Sequence, residues 1–149
     1  MTAGTAPAAS RRLLRARDAM DRSYADALDV EALADSVFLS RAHFIRSFRE
    51  AFGETPHRYL QRRRLERAMA LLRDTDRPVT EVCLDVGFSS LGSFSRTFRE
   101  VIGISPSGYR ERERASAQAA ARAAVPGCMT MLWDRPSSTF GEAPQRERG

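Results

Sequence analysis

The sequence predicts an all-α fold made of two copies of one helix pair joined by a long helix. Three observations predict it. Residues 40–64 laid over 90–114, an offset of 50, are identical at 11 of 25 positions, where roughly two are expected by chance. The apolar residues of each copy recur at helical spacing: Phe44, Phe48 and Ala51 or Phe52 in the first, Phe94, Phe98 and Val101 or Ile102 in the second. No segment alternates apolar and polar residues as a half-buried strand does.

In chain order, residues 1–9 are rich in Ala, Thr and Pro and read as flexible. Leu13, Ala16, Met20 and Tyr24 form a helical stripe, which predicts a bracing helix from about Ser10 to Ser23. Asp29 is a good N-cap for a short helix over Val30 to Ala34, with Glu31 in its first turn. The repeat reaches this far with an offset of 49, pairing Val30 with Val79, Leu33 with Val82, Ala34 with Cys83 and Val37 with Val86. The change of offset falls between Val37 and Ser40, where a turn absorbs it. Ser40 caps the next helix, Gly53 supplies a left-handed stop, and Pro56 opens the following element.

Tyr59, Leu60, Leu65, Met69 and Leu72 then predict a linker helix over 56–73, whose 18 residues span about 27 Å, against about 34 Å for one turn of B-DNA. Pro78 suits the start of a short helix over Val79–Val86. Gly87 ends it, and Ser89 or Ser90 caps the last helix of the repeat before Gly103 and Pro106 repeat the stop and start. Helix, tight turn, helix is the helix-turn-helix pattern, present at about 29–53 and again at about 78–103. Ala115–Ala124 extends the last helix and Pro126-Gly127 breaks it. Residues 115–149 read as a helical extension and a flexible tail, which Met129, Met131, Leu132, Trp133 and Phe140 can equally tack onto the domain.

Composition bounds the function. The 149 residues fit one domain, and the formal charge is +5 with all 24 cations arginine. Arginine suits bidentate contacts to phosphates and guanine edges, although a GC-rich genome also produces it by default. Two cysteines, Cys83 and Cys128, cannot build a disulfide scaffold or a four-ligand zinc site. No apolar run approaches membrane-spanning length, and the N-terminus lacks the pattern of a signal peptide, so a cytoplasmic protein is expected.

The charge is uneven. Residues 40–73 hold nine Arg against three acids, a net +6, whereas residues 1–39 are at −1. A polyanion partner, DNA, accounts for this concentration; a solvated helix face is the competing account.

On the second helix of the first pair, Arg41, Ala42, Ile45, Arg46 and Arg49 lie on faces not claimed by Phe44 and Phe48. The corresponding set in the second pair is Leu91, Gly92, Ser93, Ser95, Arg96 and Arg99. Arg46 and its repeat Arg96 are placed to pair with guanine O6 and N7, the alternative being a salt bridge to a neighbouring helix. Arg49 and Arg99, a turn further on, suit phosphates, as do Ser40 and Ser90 at the helix starts. Ala42 and Leu91 offer only apolar contact, and Gly92 none by side chain.

An enzyme is not expected. His43 and His57 are the only histidines, and no acid and nucleophile are spaced around them as a catalytic site needs. His43 falls on or beside the reading face and either touches DNA or packs, while His57 is a surface residue. Cys83 reads as a small buried hydrophobe. There is no phosphate-binding glycine loop and no metal constellation, so neither cofactor nor metal is expected.

From about Leu14 to Arg112 the chain resembles the DNA-binding domain of AraC/XylS-type bacterial transcription regulators. The motifs are Leu33-Ala34 with Ser40, Phe44-x-Arg46-x-Phe48-Arg49 and Gly53-x-x-Pro56-x-x-Tyr59-Leu60. They continue with Arg64-Leu65-x-x-Ala68-x-x-Leu71-Leu72, Val86-Gly87-Phe88-x-Ser90, Phe94-Ser95-Arg96-x-Phe98-Arg99 and Gly103-x-x-Pro106-x-x-Tyr109-Arg110.

The resemblance implies a domain over 10–114 with two helix-turn-helix units of the homeodomain-like three-helix kind. Their recognition helices enter successive major grooves on one face of double-stranded DNA. Carried over, the base contacts are Arg41, Ala42, Ile45 and Arg46, then Leu91, Gly92, Ser95 and Arg96. It further implies a nucleoid-associated activator that meets RNA polymerase. Cys83 stands where Ala is usual, and Ala42, Leu91 and Gly92 stand where longer polar residues often do, which points the second unit toward backbone or shape readout. Only about ten residues precede the first helix, so no effector domain is expected. The alternatives are a non-specific architectural binder and a ligand-sensing or protein-interaction module working through the tail.

Overall fold

A computed structural model describes residues 6–124, with seven helices and no strand among them. They are α1 (Ala6–Arg22), α2 (Val30–Ser36), α3 (Arg41–Phe52), α4 (Pro56–Asp74), α5 (Val79–Asp85), α6 (Leu91–Ile102) and α7 (Pro106–Ala124). The expected helix pairs and linker helix are present, with ends within a residue or two of the expected ones. The bracing helix differs: α1 begins at Ala6 rather than Ser10, so part of the stretch expected to be flexible is helical. A proline is tolerated in a first turn, where its missing N–H has no helical partner, and Ala8 and Ala9 favour helix. The tail from Val125 onward, with Cys128 and the Met129–Phe140 apolar residues, lies outside the described residues.

The chain divides into two units, one ending at Glu113 and the other beginning at Arg114. In the second, residues 114–124 are exposed throughout. The first carries two cores. Leu13, Ala16 and Met20 of α1, Val30 and Ala34 of α2, Val37, and Phe44 and Phe48 of α3 close the first core together with Tyr59 and Leu60 of α4. Leu65, Ala68 and Leu72 of α4, Val82 and Cys83 of α5, Val86, Phe88, and Phe94 and Phe98 of α6 close the second with Tyr109 of α7. One helix, α4, therefore serves both: its first turns cover the first core and its later turns open the second.

The helix that precedes each pair, α1 or α4, also belongs to the repeat. Leu13, Ala16 and Met20 correspond to Leu65, Ala68 and Leu72 at an offset of 52, and Arg11, Arg12 and Arg15 correspond to Arg63, Arg64 and Arg67. The two three-helix repeats are thus α1–α2–α3 and α4–α5–α6.

Their packing repeats in detail. Phe44 and Phe48 have ring centroids 5.7 Å apart at 59°, and Phe94 and Phe98 lie 5.7 Å apart at 58°. Tyr59 meets Phe48 edge-on at 5.6 Å, as Tyr109 meets Phe98 at 5.8 Å. Such rings are worth about 0.5–1.5 kcal/mol per pair beyond burial. Cys83 is buried as expected, its Sγ facing the Phe88 carbonyl at 3.9 Å, and burial pushes its thiol pKa up.

Candidate nucleic-acid interface

Each second helix of a pair is built in the same way. Ser40 and Ser90 are extended N-caps whose Oγ atoms accept from the backbone N–H of His43 (3.3 Å) and Ser93 (3.2 Å). Gly53 and Gly103 end the helices in left-handed conformation, donating N–H to the carbonyls of Arg49 (2.8 Å) and Arg99 (2.9 Å). The phenylalanines anchor one stripe in the core, so the opposite stripe faces outward. Burial follows one pattern residue for residue over 41–50 and 91–100.

Arg41, Ala42, His43, Arg46 and Arg49 are exposed on α3. Leu91 (43% exposed), Gly92, Ser93, Arg96 and Arg99 are exposed on α6. Ile45 and its counterpart Ser95 are half-buried, and Ile45 packs against the first core, so only part of its side chain faces outward.

The charge of residues 40–73 is sorted by the fold. Arg62 is held by Glu54 and Glu66 at 2.6 Å each, and these carboxylates push its pKa up. Arg63 bridges Asp21 (2.9 Å) and Glu66 (2.7 Å), and Arg73 pairs with Asp74. Arg64 donates to the carbonyls of Tyr24 and Asp26 at 2.6 Å each, and burial lowers its pKa. Arg67 stacks over Tyr24 with its guanidinium carbon 5.4 Å from the ring centre. These five arginines serve the fold.

Arg41, Arg46, Arg49 and Arg58 are exposed and make no ion pair or side-chain hydrogen bond among the described residues. The same holds for Arg96 and Arg99. The alternative of a salt bridge for Arg46 and Arg96 is therefore not realised there. In the sequence Arg58 is one more count of charge; that it has no partner among the described residues is visible only in the fold. His57 is exposed, as expected.

Among the described residues no helix is long and apolar enough to cross a membrane, and no group of three His, Cys, Asp or Glu is placed to hold a metal.

Two helix-turn-helix pairs, each with unpaired arginines among the described residues along the exposed face of its second helix, define a nucleic-acid-binding protein of the helix-turn-helix class. A family model described as a helix-turn-helix domain matches residues 33–112, more than half of the chain. The crystallised DNA-binding domain of AdpA, a global transcriptional factor solved with a target DNA, is 34% identical with a TM-score of 0.67 over 70% of this chain and 94% of that one. A transcriptional regulator with an AraC-type DNA-binding domain from Chromobacterium violaceum is 31% identical, with a TM-score of 0.64 over 75% of this chain and 96% of that one. The transcriptional activator RhaS of Escherichia fergusonii is 38% identical over 68 residues, 46% of this chain and 24% of RhaS. The chain belongs to the AraC-type family of helix-turn-helix DNA-binding transcription regulators. It spans a quarter or less of the length of the curated relatives it matches.

Proposed function

We propose that the chain is a sequence-specific DNA-binding regulator that inserts the N-terminal halves of α3 and α6 into successive major grooves. The observation that carries this reading is the pairing of Arg46 with Arg96. They hold the same place in the repeat, stand exposed on matching faces, and lack partners among the described residues. In this reading Arg41, Ala42, Ile45 and Arg46, then Leu91, Gly92, Ser95 and Arg96, meet base edges, while Ser40, Arg49, Ser90 and Arg99 meet phosphates. Because the two heads are carried by one chain, the site is asymmetric and needs no palindrome.

Selection of bound sequences from random DNA, followed by footprinting, tests it. The expected motif has two blocks about one helical turn apart, roughly 10–10.5 base pairs. Absence of any enriched motif would instead support an architectural binder. Activation is the regulatory direction favoured by similarity to RhaS, whose name describes an activator, and RNA polymerase is the partner proposed for it. A reporter placed behind the selected site checks it, with rising output on expression of the chain as the expected result.

A further inference from the structure

His57, Arg58 and Gln61 lie on the first turns of α4, between the helix pairs α2–α3 and α5–α6. They border an open cleft of about 410 Å3 whose other wall includes Ser89 of the α5–α6 turn and Ser93 of the first turn of α6. Arg58 also borders a cleft shared with Arg49 at the end of α3, and another shared with Thr97 and Glu100 of α6. It therefore lies between the two recognition helices and borders space next to both. Its side chain is exposed and unpaired among the described residues; only its backbone N–H is used, donating to Thr55 Oγ1 at 3.4 Å. Of its charged neighbours, Glu54 is taken by Arg62, Arg64 is taken by backbone carbonyls, and Arg49 and Glu100 make no ion pair with it among the described residues.

The repeat supplies a second, independent observation. At an offset of 50 the counterparts of His57, Arg58 and Gln61 are Ser107, Gly108 and Glu111. The two helices begin alike, each with Pro and then Tyr at the same spacing, yet the side-chain cation and the imidazole occur only in the copy that lies between the helix pairs α2–α3 and α5–α6. Helix formation does not require them, since α7 forms without them. What distinguishes the copies is position.

We propose that Arg58, flanked by His57 and Gln61, is a third DNA-binding point. It holds a backbone phosphate of the stretch running between the two grooves entered by α3 and α6. A guanidinium presents paired N–H donors that match two phosphate oxygens, and the Ser89 and Ser93 hydroxyls opposite are further donors. Such a contact carries no base information; it fixes the register of the duplex against both heads at once. The proposal rests on the two-groove reading above and adds an anchor between the grooves.

The test measures affinity of the whole chain for a duplex carrying the selected site and for a random duplex of equal length, across a range of salt. Arg58→Ala is expected to weaken both duplexes by the same factor and to lower the salt slope by about one. Between about 50 and 200 mM salt, wild-type affinity should then fall roughly three- to fourfold more than that of the variant. Single phosphates are next neutralised as methylphosphonates. Neutralising one phosphate between the two blocks should weaken the wild type and leave Arg58→Ala unaffected. Arg58→Gln, which keeps most of the side-chain stem, should behave as Arg58→Ala, and thermal melts of both verify folding. An unchanged salt slope overturns the proposal, as does a between-block phosphate effect that persists in Arg58→Ala or an altered base preference. If selection yields no motif, the two-groove reading fails, whereas the slope on random DNA still decides whether Arg58 touches phosphate.

Discussion

Phe38 and Gly87 stand at the same point of the two helix-turn-helix turns, 49 residues apart, and both hold a positive φ, 60° and 95°. The consequences differ because the surroundings differ. A Cβ on Gly87 would lie 2.6 Å from the carbonyl oxygen and 2.9 Å from the Cα of Ala25, both backbone atoms. Phe38 has room: it is 82% exposed, with the Arg12 guanidinium over its ring at 5.8 Å. Gly87→Ala should therefore destabilise by about 2–4 kcal/mol, combining left-handed strain with a backbone shift. Phe38→Gly should be more stable than Phe38→Ala by about 1 kcal/mol, because alanine keeps the strained φ and glycine does not. Urea unfolding of the three variants checks both statements. A Gly87→Ala protein as stable as Phe38→Ala would refute the close approach to Ala25.

Tyr59 ties α4 to α1 by donating its hydroxyl to Asp21 Oδ1 at 2.8 Å, beside Arg63 on the same carboxylate at 2.9 Å. Burial, followed by the hydrogen bond and charge of Asp21, pushes the phenol pKa up from 10.0 to about 12. A raised acid pKa favours the folded state while the phenol is protonated. That stabilisation is complete below about pH 10 and is lost as pH rises through about 12. Tyr59→Phe should cost about 1–2 kcal/mol at neutral pH and flatten the decline between pH 10 and 12. Urea midpoints at intervals across that range test it; equal slopes in both proteins would show that another group governs the alkaline limb.

The helix pairs were legible because the residues that cap, stop and anchor them are local and repeated: Ser40 with Ser90, Gly53 with Gly103, Phe44 with Phe94. The helix preceding each pair was harder to see as part of the repeat. Its offset is 52 rather than 50 or 49, since the loops before α2 and α5 differ in length, although Arg12-Leu13 with Ala16 and Arg64-Leu65 with Ala68 carried the signal. The use of each arginine was not legible. Arg58 and Arg62 lie one helical turn apart and look alike in sequence, yet Arg62 is held by Glu54 and Glu66 and Arg58 by nothing among the described residues. Partners are set by tertiary neighbours, which a count of charges along the chain does not contain.

Ser40 and Ser90 each already accept one hydrogen bond as helix caps, and each hydroxyl retains its proton to donate. Ser40→Ala should cost about 1 kcal/mol of stability through the lost cap. Ser40→Asp keeps a capping oxygen and adds negative charge at a helix N-terminus, so stability should be retained. If the hydroxyl also meets a phosphate, Ser40→Asp should still lose DNA affinity sharply. Melting and binding measured on the same preparations separate the two roles. Wild-type affinity in Ser40→Asp would leave Ser40 as a cap alone.

Arg46 and Arg96 sit in different company despite their shared place. On α3 Arg46 is accompanied by exposed Arg41, a second side chain able to reach a base edge or phosphate; on α6 Arg96 has exposed Leu91 and Gly92 beside it, with Ser95 half-buried. The block of the site read by α6 should therefore be defined less sharply than that read by α3. Arg96→Ala should flatten the α6 block almost completely. Arg46→Ala should cost about 1–3 kcal/mol on the preferred site and leave a residue of preference in its block. Arg49→Ala should instead weaken every sequence alike and reduce the salt slope by about one. Repeating the selection from random DNA with each variant, alongside affinities at two salt concentrations, distinguishes these outcomes. If Arg46→Ala lowered affinity equally for all sequences, Arg46 would be a phosphate contact, and base reading by α3 would have to rest on Arg41.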